Sequence, residues 1–163
     1  MCRIFNFYIS SYEANTGSTT NNSFFFIDWS ATIPRGKYKC TFTYNTVNVN
    51  YIVGPDECDI SPALIHINLG CNSNFSFQNG RISNTDIIGV LKWKNIVDST
   101  VGKGYLYSDL TTNVPFFFNN GLLNNFINIK ITAFDKSHLW TDSNGDYPEN
   151  YILCLTFELI DEL

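Results

Sequence analysis

The strongest structural signal in the chain lies in residues 24–44, which read FFFIDWSATIPRGKYKCTFTY. The second half of this segment alternates between apolar and polar residues, and its apolar face carries Tyr38, Cys40, Phe42 and Tyr44. A period of two lets one face of a β-strand meet a core while the other meets water. The first half, residues 24–29, is apolar on both faces and predicts a strand covered on both sides. We expect the two strands to form a hairpin around the turn Pro34-Arg35-Gly36.

The composition is that of one folded domain with an unusually aromatic, weakly charged makeup. The chain has 163 residues, of which 16% are aromatic and 15% are charged. Soluble domains carry roughly 25% charged residues. Low charge combined with many aromatic residues argues against disorder, and it suggests that neighbouring proteins cover part of the surface. We therefore expect a single domain over residues 1–163.

The charge distribution argues against nucleic acid as a partner. The net charge is −5, and the basic residues form only two small groups, within residues 35–39 and 92–103. Neutralising a phosphate backbone needs a continuous basic stripe or patch. These lysines and arginines are better explained as solvated strand faces.

The cysteines and the N-terminus indicate a reducing compartment. The five cysteines are odd in number and none has Cys-x-x-Cys spacing, so we expect them all to be reduced thiols. Residues 4–9 form a short apolar run broken by Asn6. This run is too short for a secretory signal and far too short to span a membrane, so we expect no membrane span.

Other alternating segments extend the β pattern along the chain. They predict further strands near residues 4–9, 47–53, 63–69, 75–77, 87–94, 105–107, 116–118, 126–134 and 151–159, with loops at residues 78–86 and 142–146. No segment has helix caps with a sustained period of 3.6. Roughly eight to ten short strands separated by turns are typical of a sandwich or barrel. We predict an all-β, antiparallel two-sheet β-sandwich, a single jelly roll. Within it, residues 1–22 form an N-terminal strand and polar loop, a candidate assembly arm.

Candidate chemical motifs are weak. Neither His66 nor His138 has the spacing of a zinc motif, and residues 142–146 lack the ligand positions of a calcium loop. Glu149, Glu158 and Asp161 could supply a carboxylate pair, but the sequence identifies no substrate cleft. We therefore predict no catalytic residue, no metal ligand and no cofactor, and we expect a protein that is not an enzyme.

Several segments resemble virion structural proteins of large icosahedral DNA viruses and their virophages. The resemblance rests on residues 24–42, Ile88-Gly89-Val90-Leu91-Lys92, residues 114–120 and 124–129, and Pro148-Glu149-Asn150-Tyr151-Ile152-Leu153-Cys154-Leu155-Thr156-Phe157-Glu158. The first of these includes Ile27-Asp28-Trp29 and Ile33-Pro34-Arg35-Gly36-Lys37-Tyr38. The similarity covers most of the chain from Phe24 onward, and residues 3–22 do not share it.

The resemblance implies a jelly-roll minor capsid or penton-type subunit, located in the virion and assembled in the host cytoplasm. Its partners would be copies of itself, as a trimer or pentamer, and other capsid proteins, including the major capsid protein. Large aromatic residues are enriched at the energetic centres of interfaces. Our candidate interface residues are therefore Trp29, Trp93, Trp140, Phe116, Phe117 and Phe118. We expect at least one of the three tryptophans to be exposed in the isolated subunit.

Two other classes of function stay open at this stage. The first is a carbohydrate-binding β-sandwich, such as a virion attachment head, in which exposed Trp and Tyr stack on sugars beside Asn and Asp. The second is a hydrolase that uses His66 or Glu158. Binding of glycans would favour the first class, and hydrolysis of model glycosides or esters would favour the second.

Overall fold

The segments with a two-residue period form strands of an antiparallel, curled sheet, so the all-β prediction is confirmed. The structure is a computed structural model that describes residues 3–28, 33–46, 63–69, 75–78, 81–95, 104–109, 113–119, 125–133, 138–141, 148 and 150–162. Its strands are β1 (Ile4–Ser10), β2 (Asn22–Phe26), β3 (Gly36–Thr46), β4 (Ala63–Ile67), β5 (Phe75–Gln78), β6 (Arg81–Asn84), β7 (Ile87–Asn95), β8 (Gly104–Ser108), β9 (Phe116–Asn119), β10 (Phe126–Thr132) and β11 (Tyr151–Glu162). A short 3₁₀ helix, Ser11–Glu13, follows β1.

The main sheet has the order β1-β11-β3-β8-β7-β4-β10-β2, and β9 also pairs with β3. Neighbouring strands in this order are antiparallel. The β3–β8 ladder has one residue pair, Asn45 with Tyr107, beside a hydrogen bond from the Tyr44 N–H to Ser108 Oγ over 2.7 Å. Strands β5 and β6 form a separate hairpin.

Strands β3 and β11 form the longest ladder of the sheet and contribute much of the core. Their inward residues are almost inaccessible to solvent: Tyr38, Cys40, Phe42, Tyr44, Tyr151, Leu153, Leu155 and Phe157. The alternation in the sequence therefore assigned the buried face of β3 correctly. Full burial of one such Phe or Leu side chain stabilises the fold by about 1.5–3 kcal/mol.

The predicted hairpin between residues 24–29 and 36–44 is wrong. Strand β2 pairs with β10, with Phe25 opposite Ile127, whereas β3 pairs with β11 along its whole length. A long partner strand with a matching buried face outweighs proximity in the sequence, because ladder length and burial set the free energy of pairing. The cover expected on both faces of β2 is also incomplete, since Phe26 is 64% exposed.

Two other expectations about the chain have different outcomes. The loop predicted at residues 78–86 contains the strand β6, which pairs with β5 from Phe75–Asn84 to Gln78–Arg81. The β6 segment, RISN, contains one large apolar residue, Ile82, so no alternation marks it as a strand. The strand predicted at residues 47–53 and the loop at 142–146 lie outside the described residues.

Candidate functional site

The outward face of β1, β11 and β3 forms a broad mixed surface, which we call the outer face. The register places Tyr8 opposite Cys154 and Cys154 opposite Thr43, so these side chains lie in one row across the sheet. In the next row the Thr156 hydroxyl donates to the Asn6 side-chain oxygen over 2.9 Å. Tyr8 is 70% exposed. The face therefore presents an accessible aromatic ring among hydroxyl and amide groups.

One end of the outer face carries two pairs of charged side chains and an exposed apolar side chain. Lys39 Nζ lies 3.6 Å from Glu158 Oε2, and Lys37 Nζ lies 4.0 Å from Asp161 Oδ2. Both pairs are well exposed, so each contributes at most about 1 kcal/mol. Phe117 stands opposite Lys39 in the β3–β9 ladder and is 48% exposed. An exposed phenylalanine in a charged setting is a candidate contact for a neighbouring molecule.

A cleft opens between β1 and β2. Residues 7–10 and 25–27 line it together with Glu13 and Asn15, and its volume is about 210 Å³. Pockets that enclose a small molecule usually have roughly 300–1,000 Å³. The cleft is therefore suited to a shallow contact and is too small to enclose a drug-sized ligand.

Exposed aromatic rings lie beside this cleft. Phe26, in its lining, packs edge-to-face against Phe126 with ring centroids 6.0 Å apart. Both phenylalanines are more than half exposed. Edge-to-face packing stabilises the pair, and it leaves the remaining ring surface open to an incoming apolar group.

The predicted interface residues have different positions in the fold. Phe116 and Trp140 are 1% and 4% exposed and pack within the core of this chain. Trp93 is partly buried against the core and stacks on Trp140, with ring centroids 5.9 Å apart. Phe117 remains accessible. Trp29 and the side chain of Phe118 lie outside the described residues, and the prediction that these residues form an interface stays a prediction.

A buried polar network, which the sequence did not reveal, crosses three strands. His66 on β4 is 9% exposed, with Nδ1 2.8 Å from Asp86 Oδ1 and Nε2 2.9 Å from Thr132 Oγ1. Because the carboxylate only accepts, Nδ1–H donates to Asp86, and in the neutral ring Nε2 accepts from the Thr132 hydroxyl. These three residues are far apart in the sequence and have no motif spacing. Only the pairing of β4 with β7 and β10 brings them together.

The order carboxylate, imidazole, hydroxyl is also that of a nucleophilic hydrolase. Here Thr132 is only 8% exposed, so a substrate carbonyl has little access to its hydroxyl. The hydrogen bond from His66, together with the charge of Lys130, lowers the pKa of Asp86 against the opposing effect of burial. We interpret the network as a structural link between strands, with an ionised Asp86 at its exposed end.

The two cysteines in the described part of the chain differ in burial. Cys40 and Cys154 are free thiols. Burial raises the pKa of the Cys40 thiol far above its usual value, so Cys40 stays protonated at neutral pH. Cys154 is half-buried on the outer face, in the row with Tyr8 and Thr43.

The described residues contain no group of three or more His, Cys, Asp or Glu side chains placed to hold a metal ion. A helix with the length and apolarity required to cross a membrane is likewise absent from the described part of the chain.

Comparisons of this chain with protein-family models, with curated proteins and with solved structures found no match.

Proposed function

We propose that this protein is a structural subunit of an icosahedral viral capsid, a minor capsid or penton-type jelly roll that assembles with copies of itself and with major capsid protein. One observation carries the proposal, namely the nesting of the strand pairs. Strand β1 pairs with β11, β2 with β10, β3 with β9, and β4 with β7. The first strand of the chain thus pairs with the last, and the following strands pair with successively earlier ones. Strand β8 is not part of this nested series.

Nested pairing supports a jelly roll and disfavours a simple meander, in which strands pair in sequence order. Two further pairings, β11 with β3 and β10 with β4, join the nested pairs to one another. The eight nested strands then form two groups, β1-β11-β3-β9 and β2-β10-β4-β7. Eight antiparallel strands in two groups, connected as two Greek keys, are the architecture of jelly rolls, which include viral capsid domains. Strand β8 is an addition whose ladder with β3 has one pair, Asn45–Tyr107, beside the Tyr44–Ser108 hydrogen bond. This short ladder is compatible with two sheets facing one another.

The surface also favours a subunit that is covered by neighbours. Large apolar side chains are exposed along the outer face and beside the cleft: Ile4, Tyr8, Phe26, Phe117 and Phe126. Such exposure in a chain with few charges is typical of a surface that contacts other proteins.

Co-assembly with the major capsid protein of the same genome tests this proposal. The two proteins are expressed together and separated on a density gradient, and we expect this chain to sediment with the assembled shell. Phe117→Asp should lower the co-sedimenting fraction at least about tenfold, because a carboxylate replaces an apolar contact. Phe117→Tyr, which keeps the ring, is the matched control and should retain most of it. A chain that stays at the top of the gradient, both alone and with the shell protein, contradicts the proposal.

A second candidate function is carbohydrate binding, which the cleft between β1 and β2 favours. Its lining combines the aromatic rings of Tyr8 and Phe26 with the polar groups of Ser10, Glu13 and Asn15. Sugars are held in this way, with a ring face stacked on an aromatic side chain and hydroxyls bonded to polar groups.

Glycan-array binding by the purified chain tests the second candidate. We expect a signal that Tyr8→Ala and Glu13→Gln both reduce, while Tyr105→Ala, outside the cleft, leaves it unchanged. An array without any bound glycan would exclude this candidate and leave the capsid proposal intact.

A further inference from the structure

Strand β1 has a free edge. In its ladder with β11 the Arg3 carbonyl accepts from Leu159 N–H over 2.9 Å, and the register continues from Ile4–Glu158 onward. Hydrogen-bonded pairs alternate along an antiparallel ladder, so the backbone groups of Ile4, Asn6 and Tyr8 point away from β11. Strand β1 is terminal in the sheet order, so no strand among the described residues lies against this edge.

The other terminal strand, β2, has a covered edge. The Phe24 N–H donates to Ser18 Oγ over 3.0 Å, and the Phe24 carbonyl accepts from Asn15 N–H over 2.8 Å. Asn22 exchanges two backbone hydrogen bonds with Thr19. The preceding loop therefore occupies most of the β2 edge, and in the described part of the chain the long unpaired edge of the sheet is at β1.

The sequence of β1 has none of the features that protect an edge. Its seven residues, IFNFYIS, contain no charge, no proline and no glycine. Natural edge strands usually carry lysine, proline or a bulge to prevent pairing with other chains. Here Ile4 and Tyr8 are instead 59% and 70% exposed. An edge of this kind is a template for strand addition.

We propose that β1 pairs in antiparallel fashion with β1 of a second copy of this chain, about a two-fold axis at Asn6, so that one sheet continues across the dimer. This interaction surface does not depend on the capsid proposal. A two-fold contact of this type uses the same patch on both subunits, so the patch must be self-complementary.

The register centred on Asn6 gives that complementarity. On the outer face it places Ile4 beside Tyr8 of the second copy, and Asn6 beside Asn6. On the inner side it places Phe5 beside Phe7 of the second copy. Both phenylalanines are half-buried, and Phe5 already packs edge-to-face against Tyr38 at 6.3 Å. Aromatic and β-branched side chains are favourable cross-strand partners.

The ends of β1 favour the same register. Arg3 precedes the strand, and the 3₁₀ helix that follows it contains the exposed Glu13. The antiparallel arrangement places Arg3 of one copy opposite Ile9 of the other, four residues before Glu13, so each end of the paired strands carries a basic and an acidic residue. Registers shifted towards Ser10 would run the second strand into this helix, where the chain turns towards β2.

Introducing a charge at Asn6, on the two-fold axis, tests the proposal. Asn6 is exposed and its backbone groups face outward, so the substitutions Asn6→Lys and Asn6→Asp leave the β1–β11 ladder intact. In sedimentation of the full chain we expect the wild type to be dimeric. Each variant alone should dissociate at least about tenfold more readily, because like charges directly opposite each other repel. An equimolar mixture of the two variants should restore a dimer.

Two further variants keep the outcome unambiguous. Asn45→Lys, the same change on the interior strand β3, should leave the dimer unchanged. Asn6→Pro should weaken the dimer while circular dichroism stays that of the folded chain, because proline removes only an outward-facing N–H. The proposal is overturned by a wild-type chain that is monomeric at about 100 µM, where weak specific dimers already form. It is also overturned by an oligomer that Asn6→Lys does not affect, or by a mixture that fails to restore pairing.

Discussion

The side-chain amide of Asn113 pairs with both backbone groups of Val90. Val90 N–H donates to Asn113 Oδ1 over 2.8 Å, and Asn113 Nδ2 donates to the Val90 carbonyl over 3.1 Å. Strand β8 pairs with β7 only as far as Ser108 opposite Leu91, so Val90 lies one residue beyond its neighbour strand. One amide side chain thus extends the ladder at the point where β8 ends.

Replacing Asn113 should therefore cost more than replacing an ordinary surface asparagine. Asn113→Ala leaves both Val90 groups without this partner, and we expect a loss of about 1–3 kcal/mol in the free energy of unfolding. For a chain of this size each 1 kcal/mol lowers Tm by about 2–4 °C. Thermal denaturation measures the change. Asn45→Ala, an exposed control on β3, should change stability by less than about 0.5 kcal/mol; equal effects of the two variants would contradict the assigned role.

Gly89 allows close contact between β7 and the core. A Cβ at this position would lie 2.5 Å from both Phe42 Cε1 and Asn113 Oδ1. We expect Gly89→Ala to destabilise the fold by about 1–3 kcal/mol through overpacking. Because the Phe42 ring accounts for part of the clash, the double variant Gly89→Ala, Phe42→Ala should cost less than the sum of the single variants by about 0.5–3 kcal/mol. Additive costs, measured by chemical denaturation, would show that Phe42 is not the obstacle.

Phe116 and Phe117 are adjacent in the sequence and should respond in opposite ways. Phe116→Ala removes a ring from the core and should lower stability by about 3–5 kcal/mol. Phe117→Ala changes an exposed ring and should lower stability by at most about 1 kcal/mol. The proposed capsid function predicts that it also reduces co-sedimentation with the major capsid protein. Urea denaturation and density-gradient sedimentation measure the two effects separately. A Phe117→Ala variant that is stable and still co-sediments fully would show that Phe117 is not part of the proposed interface.

The Asp86–His66 hydrogen bond predicts a pH dependence of stability. Folding lowers the pKa of Asp86, mainly through this bond, so the ionised carboxylate stabilises the native state at pH values above its unfolded pKa of about 3.9. This contribution is lost as the pH falls from about 4 through the lowered pKa of the folded state. The Asp86 side chain is 42% exposed, so solvent screening limits the effect to about 1 kcal/mol.

The variant Asp86→Asn isolates this contribution. Between pH 6 and pH 3 its stability should fall less steeply than that of the wild type, by about 1 kcal/mol over the interval. Asp161→Asn is the control, because the Asp161 carboxylate lies at the exposed end of β11, 4.0 Å from Lys37. Parallel curves for the wild type and Asp86→Asn would show that the hydrogen bond does not contribute.

The alternation in the sequence determined which residues enter the core along the longest strands. It assigned the buried face of β3, and it did the same for β10 and β11, whose inward residues include Ile129 and Leu155. This succeeds because side chains alternate strictly across a strand, and burial of apolar surface selects one face. At Phe116 and Phe117 the same rule predicts opposite directions, but it does not say which ring points inward, because both residues are apolar.

The partners of the strands were decided by the tertiary structure alone. Backbone hydrogen bonds form in the same way whatever the side chain. The turn after residue 33 therefore could not reveal that β3 would pair with the distant β11. The same is true of the polar links. Asn113 with Val90, and His66 with Asp86 and Thr132, join residues whose separation in the sequence has no motif, and only the folded sheet brings them within hydrogen-bond distance. The sequence therefore specifies the buried face of each strand through its local periodicity. The pairing partner of each strand depends instead on the free energy of the whole sheet.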